Sequence, residues 1–238
     1  MTDVALALLF GMIGEPTLYD IWGVSRDNLY GHVVGFFPRN ILYYPIVAAL
    51  LVGGIISEDR SHGTSALYFS RPINRFDYTA MKFLSVGLIL LFIINGTLAI
   101  YYFVDILVMG KGWAWIIDTF PMFLAAFLCG IILSFTYTSI GLALSSISRG
   151  RFFPAIGLVA ILMGTKSIAA IVDELFEKSL LYVISPYDSV AHVCQALIGT
   201  EMTYQHPWVW SLVSLVIING LALYLLANRV SSMEVTRE

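Results

Sequence analysis

Charge is what this sequence has least of. Its 238 residues include 13 Lys and Arg and 16 Asp and Glu, 12% in all, where an ordinary soluble domain is roughly 25% charged. The net charge of −3 supplies no broad attraction for nucleic acid, so no nucleic-acid partner is expected. Cysteine is nearly missing as well. Cys129 lies in an apolar block and Cys194 in a polar region, so neither a disulfide between them nor a metal-ligand spacing is expected. No G-x-x-x-x-G-K-[ST] occurs, so the chain has no phosphate loop with which to hydrolyse ATP. Its Gly110-Lys111 pair lacks the upstream glycine. H-E-x-x-H and G-x-S-x-G are absent too, which removes the usual signatures of zinc proteases and serine hydrolases.

What is present is apolar. Hydrophobic residues make up 58% of the chain, the mean hydropathy is +0.83, and the apolar residues fall in long blocks. About 20 apolar residues carry a helix across a hydrocarbon core of about 30 Å. Segments 41–57, 83–104, 119–148, 152–172 and 207–228 meet or approach that length. The run Val4–Ile13 has the length of a signal-peptide core, but no Lys or Arg precedes it and no small-x-small cleavage site follows. It covers about half a bilayer at about 1.5 Å per residue, as part of a curtailed first span or as a half-inserted segment. The expected fold is all-α: a polytopic membrane helical bundle of about six transmembrane helices, one domain over 1–238, with membrane lipid as its solvent.

The basic residues orient the bundle. One set of loops carries Arg60, Arg71, Arg75, Lys82, Arg149, Arg151, Arg229 and Arg237; the opposite, longer loops carry only Arg26, Arg39, Lys111 and Lys178. The positive-inside rule makes the first set, and the C-terminus, cytoplasmic. Trp113, Trp115, Trp208 and Trp210 then fall at the outer boundary as an aromatic belt. In the outer loop 173–206, Ser185 is a good N-cap, Pro186 suits the first helical position, and Asp188 completes a capping-box-like pattern. Tyr187, Val190, Ala191, Cys194, Leu197 and Ile198 follow at helical spacing, which predicts an outer amphipathic helix on the membrane surface or folded over the bundle.

Residues 53–82 read GGIISEDRSHGTSALYFSRPINRFDYTAMK. An apolar span ends at Ser57; Glu58, Asp59 and Arg60 form a charged cluster, and Gly63 breaks the chain. Thr64–Ser70 can form a short apolar helix, Ser70-Arg71-Pro72 makes a turn, and Asn74 caps the next helix with Asp77 at its third position. A short helix between charged hinges suits docking into a groove on a cytoplasmic partner.

This segment resembles the ABC-2-type transporter permeases, whose members often show an apolar span, an acidic residue, a Gly-Thr pair, an apolar stretch, a Ser-x-Pro-x-x-Arg-like turn and a Lys opening the next span. Here those are Glu58, Gly63-Thr64, Ala66–Phe69, Ser70-Arg71-Pro72 with Arg75, and Lys82. Within the family the chain looks most like permeases encoded as separate subunits, including the kind serving copper-site maturation of nitrous oxide reductase. The resemblance implies a membrane permease subunit of an ATP-driven ABC transporter, usually an exporter. It implies a second permease chain, as a homodimer or related heterodimer, and a separate ABC ATP-binding subunit that holds ATP and Mg. No cofactor and no catalytic residue is then expected in this chain. Glu58, Gly63, Thr64, Leu67, Tyr68, Pro72 and Arg75 become candidates for coupling to the ATPase through a cytoplasmic coupling helix.

Lys166 is the charge inside a span. At a helix centre it costs about 2.5–3.5 kcal/mol, so it either snorkels to the outer headgroups or faces a polar cavity on a substrate path. Asp188, His192 and His206 are too few for a zinc site and read as a solvated face of the outer helix. Gly87, Gly96, Gly130, Gly141, Gly157 and Gly164 permit close helix contacts or kinks. Two other classes compete with a transporter: an intramembrane enzyme acting on lipid or peptide, and a membrane anchor for a cytoplasmic ATPase. An enzyme should place paired polar or acidic groups within spans, and these spans hold only Lys166 as a charge.

Overall fold

A computed structural model describes residues 23–34, 42–61, 74–108, 110–148, 150, 152–176 and 179–235. All regular structure among them is helical: α1 (Arg26–Val34), α2 (Tyr43–Val52), α3 (Ser57–Ser61), α4 (Arg75–Val108), α5 (Trp113–Ile147), α6 (Phe152–Phe176), a 3-10 turn (Ser179–Val183), α7 (Pro186–Ile198) and α8 (Trp208–Val235). Four helices are long and apolar enough to cross a membrane: Phe76–Leu107, Trp113–Ile147, Phe152–Phe176 and Trp208–Ser231. They match segments 83–104, 119–148, 152–172 and 207–228. The chain is therefore a multi-pass helical membrane protein. The run Val4–Ile13 lies outside the described residues.

Segment 41–57 is corrected. It does not form one helix: α2 has 10 residues, about 15 Å at 1.5 Å per residue, and cannot reach across the bilayer. Gly53-Gly54 causes the break. Gly54 has φ +89°, a left-handed conformation that costs glycine little and other residues more. The chain turns through 53–56 and restarts as α3. Buried non-helical backbone needs partners inside the protein, and α5 supplies them: the Ser145 hydroxyl accepts from the Ile56 N–H at 3.1 Å and the Ser57 N–H at 3.3 Å.

The core is a mat of aliphatic and tyrosine side chains from α1, α2, α4, α5, α6, α7 and α8, including Leu29, Leu90, Ile94, Leu98, Leu133, Tyr137, Leu158, Leu162 and Val190. A smaller cluster toward the α3 end joins Val52, Ile56, Tyr78, Val86, Leu142, Leu226 and Val230. Helix α5 runs through the centre and packs against α1, α2, α4, α6, α7 and α8. Two of its glycines admit a neighbour: a Cβ at Gly141 would lie 2.6 Å from Val52, and one at Gly130 would strike Asn95. Gly96 and Gly164 face open space, so close contact is confined to a subset of the six. Polar pairs peg the apolar interfaces. Asn219 of α8 bonds the Ser139 and Thr136 hydroxyls of α5, and Ser134 donates to the Gly87 carbonyl of α4 at 2.9 Å.

Candidate functional site

Two polar constellations stand at opposite ends of the long helices. The first brackets the segment singled out as a docking element. Asn74 caps α4, its side chain accepting from the Asp77 N–H at 2.8 Å, as its position before an apolar run predicts. One turn further on, the Tyr78 hydroxyl donates to Asp59 at 2.8 Å. Lys82 pairs with the same carboxylate at 2.7 Å and donates to the Ile55 carbonyl at 3.3 Å. Asp59 thus fastens the short α3 to the start of α4, with both side chains of the ion pair about four-fifths covered. The clamp thus joins the described residues on either side of 62–73. Glu58 is exposed beside it. Gly63, Thr64, Leu67, Tyr68 and Pro72 lie outside the described residues, as does the Arg75 side chain.

The second constellation gathers around α7. Its start follows the sequence: the Ser185 hydroxyl accepts from the Asp188 N–H at 3.4 Å, with Pro186 in the first turn. Its end is also conventional, Gly199 taking φ +77° in a left-handed C-cap, with Arg26 of α1 donating to the Gly199 carbonyl at 3.2 Å. The apolar stripe is buried as expected except for Leu197, which is 42% exposed. The opposite face is where the sequence reading needs correction. Asp188, Ser189, His192 and Gln195 are 1%, 0%, 1% and 2% exposed, so they form no solvated face. Helix α7 is enclosed by α1, α5, α6 and α8, and its polar side chains find partners on them instead of water.

Lys166 meets that polar face. Its ammonium lies 3.0 Å from Asp188 Oδ1 and 4.5 Å from the centre of the Tyr187 ring, so it is held by a carboxylate and an aromatic face. The Tyr204 hydroxyl donates to the same oxygen at 2.8 Å, while Asp188 Oδ2 is buried with no hydrogen-bond partner among the described residues. Gln195 donates to the Thr203 hydroxyl at 2.6 Å and accepts from the Thr203 N–H at 3.2 Å, closing the 200–207 loop over the helix. His192 Nδ1 stands 3.1 Å from His206 Nε2. Both nitrogens lie 3.0 Å from the Ser211 hydroxyl. Burial, and secondarily the neighbouring His206, push the His192 pKa down to about 4. Burial lowers His206 as well, so both imidazoles are neutral at pH 7. Burial followed by the Asp188 charge raises the Tyr204 phenol, which keeps it a donor.

Cys129 and Cys194 are both free and buried. Cys194, expected in a polar region, is buried instead: the Cys129 thiol lies 3.9 Å from its carbonyl oxygen, because α7 packs against α5. Tyr204, Gln195 and Ser211 were invisible as site residues in the sequence. Ser211 opens an apolar helix, and nothing local separates it from other helix serines.

Long apolar helices, a charged clamp at one end and a closed polar seam at the other describe a multi-pass membrane protein. The family model described as ABC-2 family transporter protein matches residues 40–229. The chain belongs to that family. It is a membrane permease component of an ABC transporter, a transport part rather than a catalyst. No curated protein matches it.

Proposed function

We propose that this permease works as an exporter subunit, pairing with a second permease chain and a separate ATP-binding subunit that holds ATP and Mg. The whole of 1–238 acts as one permease domain, with 58–75 as the coupling element and the C-terminus on the cytoplasmic side. The observation that carries this reading is the Asp59–Lys82–Tyr78 clamp. It fastens α3, before 62–73, to α4, after it, so a push on that segment would reach α4 and, through Ser145, α5. Glu58, Gly63, Thr64, Leu67, Tyr68, Pro72 and Arg75 then transmit the motion, and Lys166 lies beside the path. The basic residues concentrated at this end favour the cytoplasmic placement.

The test is purification of the chain with a stand-alone ATP-binding subunit encoded beside it. The complex is expected to have a mass that accommodates two permease chains and two ATPases. In cells, cysteines at Ser65 and Ser232, in a background lacking Cys129 and Cys194, should resist an impermeant thiol reagent, while one at Thr203 reacts. A complex with one permease chain removes the dimer, and labelling of Ser65 from outside reverses the orientation.

A further inference from the structure

We propose that His192 and His206 form an acid-released latch, which holds the 200–207 loop and the entry of α8 against α7 at neutral pH and lets them part when a proton is added. Three distances define it. His192 Nδ1 stands 3.1 Å from His206 Nε2, and each nitrogen is 3.0 Å from the Ser211 hydroxyl. An imidazole nitrogen carries either a lone pair or an N–H. The bond between the two rings therefore holds one proton between the facing nitrogens. That proton belongs on His206 Nε2. The other tautomer puts an N–H on His206 Nδ1, a buried atom with no hydrogen-bond partner among the described residues, and orphaned buried N–H groups are rare. Ser211 fits the same arrangement, its hydroxyl accepting from His206 or donating to His192.

A second proton has no good place here. On His206 Nδ1 it creates the orphaned N–H that the neutral tautomer avoids. On His192 Nδ1 it sets two N–H groups against each other across 3.1 Å, with one hydroxyl oxygen to share. Either way a positive charge enters a site where His192 is 1% exposed, and a buried charge without a paired counter-charge is costly. Parting the rings to water removes the conflict. Burial, and secondarily His206, lower the His192 pKa from 6.5 to about 4, and burial lowers His206 as well. The closed form is therefore fully favoured above pH 6.5 and loses that advantage as pH falls towards 4.

Other titratable groups surround the latch. Tyr204 has its ring 5.0 Å from His192 and 5.8 Å from His206, and burial keeps its phenol protonated throughout this range. Behind it lie Asp188 of α7 and Lys166 of α6, paired with each other. The 3-10 turn brings Tyr182, which interacts with Asp173 of α6. From α1, Arg26 is bound at Gly199, and His32 is stacked on Tyr101 and bonded to Thr97; Tyr30 packs into the same core as Tyr187, Cys194 and, from α5, Cys129 and Tyr137. The loop adds Glu201, which is exposed, and α8 carries no charged residue within 208–223. The acid-titrating competitors are thus Asp188, Asp173, Glu201 and His32. A response that belonged to them would outlast removal of His192 and His206.

The experiment is hydrogen–deuterium exchange read by mass spectrometry on the full-length chain in detergent, without the ATPase, at pH 7.5 and pH 5.0. Protection factors remove the intrinsic pH dependence of exchange. Peptides spanning 192–211 are expected to lose protection on the order of tenfold between the two, while peptides from the middle of α5 keep theirs. His192→Asn combined with His206→Gln puts an amide acceptor in place of Nδ1 and an amide donor in place of Nε2, and neither takes up a proton, so the loss should vanish. His206→Gln alone, on the half-buried loop, leaves one titrating ring and should shrink the loss; it decides the matter if the double variant does not fold. Unchanged protection in the native chain overturns the proposal. So does a loss that persists in full in either variant, or one shared equally by α5, which is global acid unfolding.

Discussion

Lys166→Met is expected to destabilise the protein by about 3–5 kcal/mol, the usual cost of leaving a buried charge without its partner. The cost is asymmetric because the partners are enclosed differently. The Asp188 side chain is 0% exposed and that of Lys166 28%. Removing the ammonium strands a carboxylate that water cannot reach, with Tyr204 as its remaining side-chain donor among the described residues. Removing the carboxylate leaves a lysine whose long stem can carry its charge outward. Asp188→Asn should therefore be milder, and Lys166→Met combined with Asp188→Leu should recover much of the loss, since no buried charge then remains. Thermal unfolding in detergent reads all three. If Lys166→Met unfolds within about 1 kcal/mol of the native chain, the pair does not hold α7 in place.

Leu67→Asp or Tyr68→Asp should release the ATP-binding subunit while the permease stays inserted and dimeric. A loop between antiparallel spans needs only a few residues, and this one is far longer and is clamped at its base by Asp59 and Lys82. Its apolar stretch Ala66–Phe69 needs lipid or protein to cover it. In such contacts a buried apolar anchor carries most of the affinity, and rim charges set rate and orientation. Glu58→Ala should accordingly be subtler: the complex persists, but its ATP hydrolysis no longer responds to substrate. Recovery of the ATPase at native yield with both aspartate variants would remove the docking role from this segment.

Much of the helical frame could be read from the chain. Long apolar runs, three of them free of charge and the fourth broken only by Lys166, mark the four helices that can cross a membrane, and local capping signals place the starts at Asn74 and Ser185, since a cap depends on residues within one turn. Segment 41–57 was misread because its composition is that of a span, while the break depends on what Gly53-Gly54 permits and on a serine 88 or 89 positions away. The polar face of α7 was misread for a related reason. An amphipathic pattern says that one face is polar, and water is the usual partner. Here the partners are Lys166, Thr203, Tyr204, His206 and Ser211, which the fold brings in from α6, a loop and α8. No periodicity encodes that enclosure.

The burial of α7 constrains how this end of the bundle can open. Apolar surfaces slide past one another with little change in energy, but the contacts of α7 with its neighbours are directional and each fits one register. Asp188 holds α7 to α6 through Lys166, and His192 holds it to α8 through Ser211. Any parting of α6 from α8 at this level must break one of these two attachments, and α7 has to leave with the side to which it stays bonded.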